Sequence, residues 1–350
     1  MSPTLRRRLE SLLQRLWYAD DPGFALRALR AVLSPLAALT GAVARHRRAR
    51  IRALPAPRPP LLVVGNLVAG GAGKTPLVAA LATALAGRGL RPGIVASGYG
   101  ATRSDARLVR RGDDPAQAGD EPLLLARATG VPVAAARRRA QAVALLHAAH
   151  PELDLLISDD GLQHAGLARS IELVVFDERG IGNGRLLPAG PLRAPLAQLA
   201  SMDAVVLNGD AAAPIAHPRQ YRFRIEPLRF VAVDGHAAPI AAPLFAQRVG
   251  SQRLVAVAGT AAPERFFATL RALGLQPRCI ALGDHATLGR DELAAMAAAF
   301  VVMTAKDAVK CAAWADDRCW ALEVRAVPDP ELVNWLIDCL SETIRGRTFA

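Results

Sequence analysis

The sequence lacks the cysteine patterns that mark a metal site or a disulfide framework. Its 350 residues include four cysteines, all in the last quarter of the chain, with no CxxC pair and no Cys/His cluster at metal-ligand spacing. This excludes structural zinc and favours a reduced, cytoplasmic setting. The first residues also lack a small-residue cleavage site after a compact apolar stretch, so we expect no export.

Aromatic residues are scarce as well, at 5% of the chain, and no internal repeat or low-complexity tract is present. Few aromatics interleave the arginines near the start, and no nucleic-acid-binding motif follows them. A protein that binds single strands needs such stacking side chains. We therefore expect no nucleic-acid partner, and no sequence feature indicates an obligate protein partner.

Positive charge is abundant and concentrated at the start. The net charge is +12, and residues 1–52 hold eleven arginines against three acids. Leucines recur there at helical spacing, and residues 31–44 carry no charge. Because about 20 apolar residues are needed to span a bilayer and Pro35 interrupts the run, we expect a helix lying in the interface of an anionic membrane. The alternatives are a helical hairpin packed on the protein itself and a nucleic-acid arm.

A glycine-rich segment follows an apolar run and ends in Gly-Lys-Thr. Such loops aim backbone N–H groups at a polyphosphate, while the lysine reaches the terminal phosphates and the hydroxyl binds Mg²⁺. The candidate nucleotide-binding residues are Gly70, Gly71, Ala72, Gly73, Lys74, Thr75 and Pro76. The strict pattern has glycine where this chain has Val68, and the alternative is an ordinary turn with a solvated lysine. The segment predicts ATP or GTP binding.

Short apolar runs alternate with Ala/Leu-rich helical stretches, which predicts an α/β fold with a mainly parallel sheet. Alternating residues near 221–233 predict a β-ribbon, after which a second α/β set begins. We therefore expect a P-loop domain and a second, smaller α/β domain joined by a β-ribbon linker. The predicted segments are a basic amphipathic region 1–52, the P-loop domain 53–213, the linker 214–243, the smaller domain 244–328 and a closing helix 329–350.

Several polar residues follow predicted strands or precede predicted helices. Asp159 and Asp160 end an apolar strand, where a P-loop fold holds Mg²⁺ opposite Thr75, although strand-end aspartates also cap turns. Asp120 precedes a helix and on this ground alone is an N-cap. A lone histidine such as His285 is usually structural. Lys306 and Lys310 follow a strand, and form either a solvated face or a contact for substrate phosphate.

The motifs together resemble the tetraacyldisaccharide 4′-kinase family, the lipid A 4′-kinases of Gram-negative bacteria. Beyond the glycine loop, the Asp-Asp-Gly-Leu-Gln-His block at 159–164 and the Gly-Arg-Leu-Leu-Pro-Ala-Gly-Pro-Leu-Arg block at 184–193 are the most specific. The other matching segments are 65–66, 98–100, 119–122, 263–267, 284–285 and 306–310. The order and spacing hold over nearly the whole chain.

The resemblance implies ATP- and Mg²⁺-dependent phosphorylation of the 4′-hydroxyl of a tetraacylated glucosamine disaccharide 1-phosphate, at the cytoplasmic face of the inner membrane. The partners it implies are this acylated lipid and the anionic lipid surface. It also implies that Asp120 and His285 form a catalytic pair in different domains, which domain closure would bring together. The roles it implies for the other positions are Lys74 and Thr75 on phosphates and Mg²⁺, Asp159 and Asp160 near the metal, and Arg185, Arg193, Lys306 and Lys310 toward substrate phosphate or ATP.

Two positions depart from the family pattern. Ser97 stands where the family usually has arginine, and Ala305 where it usually has glutamate. Candidate replacements for the missing arginine are Arg103, Arg138 and Arg139. The competing function is a membrane-associated P-loop ATPase switch regulated by a protein partner, which the glycine loop and the basic start would also allow.

Overall fold

The computed structural model describes residues 3–19, 21–98, 105–260, 262–283 and 286–344. The chain divides into two compact units. Unit 1 comprises Met1–Arg224 and Ala326–Ala350, and unit 2 comprises Ile225–Arg325. The P-loop segment lies in unit 1.

The chain begins with two helices, α1 (Pro3–Tyr18) and α2 (Gly23–Arg52). The interruption expected at Pro35 is wrong, because the 30-residue helix α2 contains this proline and continues beyond it to Arg52. A proline removes one backbone donor and crowds the preceding turn, which a long helix held by side-chain contacts tolerates. Such contacts exist for α2, since Arg48 pairs with Glu172 and the hydroxyl of Ser34 accepts from Arg185 (3.3 Å).

Among the described residues, α2 is the helix that is long and apolar enough to cross a membrane, judged by length and composition alone. Its apolar side chains are largely exposed: Val32 by 72%, Leu36 by 53% and Leu39 by 60%. Its buried positions are few, and they include Leu26 and Ala37. One face of the helix therefore packs on the rest of unit 1, and an apolar face is exposed to solvent.

Unit 1 is built on a mainly parallel sheet, as the near-continuous apolar runs predict for strands covered on both faces. Its strands are β1 (Leu61–Gly65), β2 (Pro92–Ser97), β3 (Arg107–Val109), β4 (Val133–Ala136), β5 (Leu155–Asp159), β6 (Ile171–Phe176), β7 (Ala204–Asn208) and the first residues of β8 (Gln220–Ala232). The order is β8-β7-β6-β1-β5-β2-β4-β3, and only β3 runs antiparallel to its neighbour among these described strands.

Helices cover this sheet. They are α3 (Lys74–Ala86), α4 (Pro115–Ala118), α5 (Asp120–Thr129), α6 (Arg139–Ala149) and a 3₁₀ turn at Leu196–Ser201. The buried face of α3 contributes Leu77, Leu81 and Leu85, each fully buried. Burying such leucines stabilises the fold by roughly 2 kcal/mol each.

Unit 2 has a set of four neighbouring parallel strands and a core of its own. Its elements are β9 (Ile240–Ala241), α7 (Ala242–Val249), β10 (Leu254–Ala258), α8 (Pro263–Ala272), β11 (Arg278–Ala281), α9 (Arg290–Ala294), β12 (Phe300–Thr304), α10 (Ala305–Cys311) and β13 (Cys319–Pro328). The parallel order is β11-β10-β12-β13. An aromatic cluster lies in the core of unit 2. The ring of Phe245 stacks on that of Phe230 with 3.8 Å between ring centroids, and its centroid is 5.3 Å from that of Trp320.

Two strands connect the units. β8 leads from unit 1 into unit 2, β13 leads back, and the two are hydrogen-bonded neighbours. The return strand delivers the last helix, α11 (Pro330–Ile344), to unit 1, where Trp335 stacks on Tyr221 at 5.7 Å between ring centroids. The chain after residue 328 therefore completes the P-loop unit.

Candidate active site

The candidate site lies at the carboxyl ends of β1, β5 and β6. β1 pairs with β5 on one side and with β6 on the other, so the chain reverses its direction of travel across the sheet at this point. In open α/β sheets the crevice at such a switch point is where ligands bind. The glycine loop follows β1, Asp159 ends β5 with Asp160 directly after it, and Asp177 follows β6.

The glycine loop leads directly into α3. Gly73 is the N-cap of α3 and adopts φ +86°, a left-handed conformation that favours glycine. Two side chains brace the loop from neighbouring strands: Arg179 donates to the carbonyl of Gly71 (2.9 Å) and Asn208 to that of Ala72 (3.2 Å). The carbonyls are thus occupied by the protein, which leaves the helix N-terminus to face an anion.

Lys74, the first residue of α3, is buried rather than solvated. Its side chain is 9% exposed, and Nζ donates to Oδ1 of Asn66 (3.1 Å) and lies 3.7 Å from Oδ1 of Asp160. Asn66 also donates to the carbonyl of Gly70 (3.0 Å), so it links the lysine to the loop. A lysine held this way is a buried point charge beside the loop. The alternative of a solvated lysine is therefore wrong.

Thr75 and Asp159 are in direct contact. The Thr75 hydroxyl donates to Oδ2 of Asp159 (2.7 Å), while Oδ1 of Asp159 is buried and has no hydrogen-bond partner among the described residues. Burial, and then the charge of Glu121, raise the pKa of Asp159 to about 6. A hydroxyl beside an unsatisfied carboxylate oxygen is a donor set that suits Mg²⁺.

No group of three or more His, Cys, Asp or Glu residues at metal distance occurs in the part of the chain that the structure describes. Mg²⁺ is commonly held by one or two carboxylates together with substrate phosphates rather than by a full protein cage. Thr75 and Asp159 therefore fit a magnesium ion that arrives with a nucleotide.

Asp160 lies between two cations. Nη1 of Arg193 is 3.1 Å from its Oδ2, and Lys74 approaches its Oδ1. Partial burial would raise the pKa of Asp160, but Lys74 and Arg193 outweigh this effect and hold the pKa below the ordinary carboxyl value. Asp160 also has φ +51°, the only positive φ among the described residues other than glycine. Such a backbone costs roughly 1 kcal/mol and persists where the surroundings fix it.

Arg139 contributes a further buried cation beneath the carboxylate pair. It is 4% exposed and donates to the carbonyl of Asp159 (3.1 Å) and to that of Ala136 (3.2 Å). Of the candidate replacements for the family's arginine, Arg139 is thus the one beside the site, whereas Arg138 is exposed and Arg103 lies outside the described residues. Burial and the charge of Arg139 lower the pKa of the nearby His164 to about 4, so this imidazole is neutral at pH 7.

Asp120 does not cap its helix, because Gly119 is the N-cap of α5 and Asp120 is the first helical residue. The N-cap role predicted for Asp120 from its position alone is therefore wrong. His285, its proposed partner, lies outside the described residues.

The predicted substrate cations occupy different environments. Arg193 contacts Asp160, whereas Arg185 is exposed and donates to the hydroxyl of Ser34 on α2 (3.3 Å). In unit 2, Lys310 is 7% exposed, donates to the carbonyl of Ala286 (3.2 Å) and lies 3.7 Å from Asp307, so it is not part of a solvated face. Lys306 is half-buried on the same helix.

Sequence reasoning missed several residues that shape the site. They are Asn66, Glu121, Arg179 and Asn208. Asn208 ends β7 and Arg179 follows β6, so the rule that functional side chains gather at the carboxyl ends of parallel strands could have found both. Arg139 was predicted only as one of three candidate replacements, because one arginine in a run of three cannot be singled out by type alone.

A mainly apolar cavity of about 290 Å³ lies within unit 1, and Arg193, which contacts Asp160, is one of its lining residues. One wall comes from α2, including Leu39, Val43 and Ile51. The other wall includes Leu67, Leu162 and Arg193. Arg193 therefore reaches both the cavity and the carboxylate pair.

A family model and individual relatives of this chain point to the same family. The model of the LpxK family, described as tetraacyldisaccharide-1-P 4′-kinase, matches residues 29–341. A Bordetella parapertussis protein named tetraacyldisaccharide 4′-kinase is 45% identical over 353 residues, covering 97% of this chain and 98% of that protein. One of the same name from Dechloromonas aromatica is 45% identical over 342 residues, with coverage of 97% and 98%.

A solved structure also matches. The crystal structure of the "apo" form of LpxK from Aquifex aeolicus in complex with ATP has a TM-score of 0.71 and 25% sequence identity, and the match covers 89% of this chain and 99% of that one. The P-loop fold with a second α/β unit, the motif resemblance and the near-complete coverage agree. The chain therefore belongs to the tetraacyldisaccharide 4′-kinase family and is a kinase.

Proposed function

We propose that this kinase transfers the γ-phosphoryl group of ATP to the 4′-hydroxyl of a tetraacylated glucosamine disaccharide 1-phosphate. The observation that carries the proposal is the convergence of Lys74, Thr75 and Asp159 on the glycine loop at the sheet's switch point, in a chain of this family. The partner-regulated ATPase has no comparable support.

ATP is the proposed phosphoryl donor. The Aquifex aeolicus relative was solved with ATP, and the loop here presents the N-terminus of α3 with a buried lysine beside it. Lys74 would contact the terminal phosphates, and Thr75 with Asp159 would hold Mg²⁺. The metal would neutralise charge that develops on the phosphates during transfer.

Asp120 and His285 are the proposed catalytic pair. A sugar hydroxyl is a poor nucleophile near neutral pH, so a carboxylate, or an imidazole oriented by one, is needed to accept its proton. The hydroxyl oxygen would form the new P–O bond while the bond to the bridging oxygen of ADP breaks. Asp160, with its ionised carboxylate between Lys74 and Arg193, would position these cations around the transferred group.

The acyl chains of the acceptor would bind to the apolar surfaces of unit 1. The cavity walled by α2 adjoins Arg193, which would place apolar chains beside a cation suited to a phosphate. The exposed apolar residues of α2 would enter the lipid of the inner membrane from its cytoplasmic face, and the arginines that follow them would contact anionic headgroups. The protein would then meet a substrate that stays in the bilayer.

The test is phosphoryl transfer by the purified full chain in detergent micelles containing tetraacyldisaccharide 1-phosphate, γ-labelled ATP and Mg²⁺. We expect label in the lipid, and losses of about 10²-fold or more in Lys74→Ala, Asp120→Asn and His285→Ala. Asp114→Asn, which changes the N-cap of α4, is the matched control and should keep its rate. Wild-type rates in all three site variants would end this assignment of the site.

A further inference from the structure

A buried carboxylate lies between α2 and the carboxylate pair without a role in the proposed chemistry. Glu172, in β6, is 5% exposed. Its Oε1 accepts from Nη1 of Arg48 (2.5 Å) and from Nη1 of Arg169 (2.9 Å). An isolated buried charge is costly, so the glutamate and the two arginines stabilise one another as a buried ion-pair cluster.

Arg169 uses its remaining donors on the turn that follows Asp160. Nη1 donates to the carbonyl of Leu162 (3.2 Å) and Nη2 to that of His164 (2.8 Å). The turn also closes on itself, since the backbone N–H of His164 donates to the carbonyl of Gly161 (3.1 Å). Arg169 thus fixes the backbone directly after the one described non-glycine residue that has a positive φ.

Arg48 connects α2 to the same buried ion-pair cluster. Besides Glu172 it binds Ser201, donating to the carbonyl (3.0 Å) and to the hydroxyl (3.2 Å). Its side chain is 12% exposed. A continuous path of hydrogen bonds therefore runs from α2 through Glu172 and Arg169 to the turn that carries Asp160.

We infer that Arg48, Glu172 and Arg169 are positioning residues that hold the Asp160 turn in the geometry for phosphoryl transfer and tie it to α2. The inference rests on the proposed roles of Asp159 and Asp160. The strained backbone at Asp160 needs surroundings that determine it. Arg169 holds the carbonyls of the turn that follows, while Arg193 and Lys74 hold the Asp160 carboxylate. Mutation of a group that orients a metal-ligating residue typically costs about 10- to 100-fold in metal affinity or activity.

Arg48→Met is the most informative variant. It removes the link to α2 and leaves the Glu172–Arg169 pair balanced, so the core of unit 1 keeps a paired charge. In micelles of a neutral detergent, where the substrate is the only anionic lipid, we expect kcat for lipid phosphorylation to fall roughly tenfold, with KM for ATP within about twofold of the wild-type value. Arg48→Lys, which keeps the charge and one donor nitrogen in place of three, should recover part of the loss. Arg91→Met, which removes the exposed pair with Asp154 at 2.8 Å, is the control and should not change kcat.

A second measurement separates positioning from general stability. If Arg48 acts through Asp160, Arg48→Met should cause no further loss in an Asp160→Asn background. Losses that multiply, a rise in KM for ATP that parallels a fall in melting temperature, or full kcat in a folded Arg48→Met variant would each overturn the inference. Full activity of Asp160→Asn alone would overturn the site assignment together with the inference, whereas an impaired Asp160→Asn beside a fully active Arg48→Met would overturn the inference alone.

Discussion

Nη1 of Arg193 lies 3.1 Å from Oδ2 and 3.3 Å from Oδ1 of Asp160, so the last residue of one family-specific block contacts the second carboxylate of the other. These residues are 33 positions apart in sequence. The contact brings a cation to the point where Lys74 also approaches, and it explains why both blocks surround the glycine loop.

This contact predicts different losses for two arginines of the same segment. Arg193→Ala should lower kcat by about 10- to 100-fold, because it removes a charge beside Asp160 and lets the pKa of that carboxyl rise. Arg193→Lys should recover part of the rate, since one charge without the planar fork remains. Arg185→Ala should cost much less, because Arg185 is exposed against α2. Equal losses in Arg193→Ala and Arg185→Ala, measured at saturating ATP, would contradict this account.

The contact between Thr75 and Asp159 predicts a metal-specific defect. Thr75→Val keeps the shape but removes the hydroxyl, so the Mg²⁺ concentration that gives half-maximal rate should rise about tenfold or more. Thr75→Ser keeps the hydroxyl and should stay near the wild-type value. A titration of activity with Mg²⁺ at fixed ATP decides this, and an unchanged Mg²⁺ requirement in Thr75→Val would count against the site.

The environment of His164 predicts a pH-dependent stability. Its pKa in the folded state is about 4, below the ordinary histidine value, so the unfolded chain binds more protons between pH 4 and pH 6.5. Stability should therefore fall as pH falls through this window, by on the order of 1 to 2 kcal/mol after solvent screening of the partly exposed ring.

The measurement is urea unfolding of the wild type and of His164→Gln at pH 7 and pH 5. The free energy of unfolding of the wild type should drop more than that of the variant between the two pH values. An equal drop in both proteins would show that His164 is not responsible.

The open face of α2 predicts a defect in membrane binding that leaves the fold intact. Val32→Ser with Leu36→Ser should weaken binding to vesicles of anionic lipid about tenfold, because each removes apolar area that would enter the bilayer. Leu244→Ser is a matched control, since Leu244 is 53% exposed like Leu36 but lies in unit 2. Point variants are preferable to deletion of residues 1–52, because deletion would also remove Arg48 from Glu172. Vesicle co-sedimentation in which the double variant binds like the wild type would contradict the membrane role.

Much of the fold could be predicted because its signals are local. Continuous apolar runs at β1, β5 and β6 indicated buried parallel strands, and the glycine loop after β1 indicated the start of α3. The contact between Thr75 and Asp159 followed from these, since parallel strands place their carboxyl ends at one edge.

Features that depend on distant contacts could not be predicted. α2 runs through Pro35 because side chains such as Arg48 hold it on unit 1. β13 returns the chain to unit 1, so the role of α11 depends on a strand pairing with β8 that no local pattern encodes. Glu172 reads in sequence as one polar residue in an apolar strand, and its two arginines are 124 and 3 positions away.

The central claim is that ATP turnover by this chain is coupled to a lipid acceptor. The direct measurement is the ratio of phosphate incorporated into tetraacyldisaccharide 1-phosphate to ADP released by the purified protein in micelles. The account predicts a ratio near one, with little ADP formed when the lipid is left out. ADP release without phosphorylated lipid would contradict it and would favour a P-loop ATPase instead.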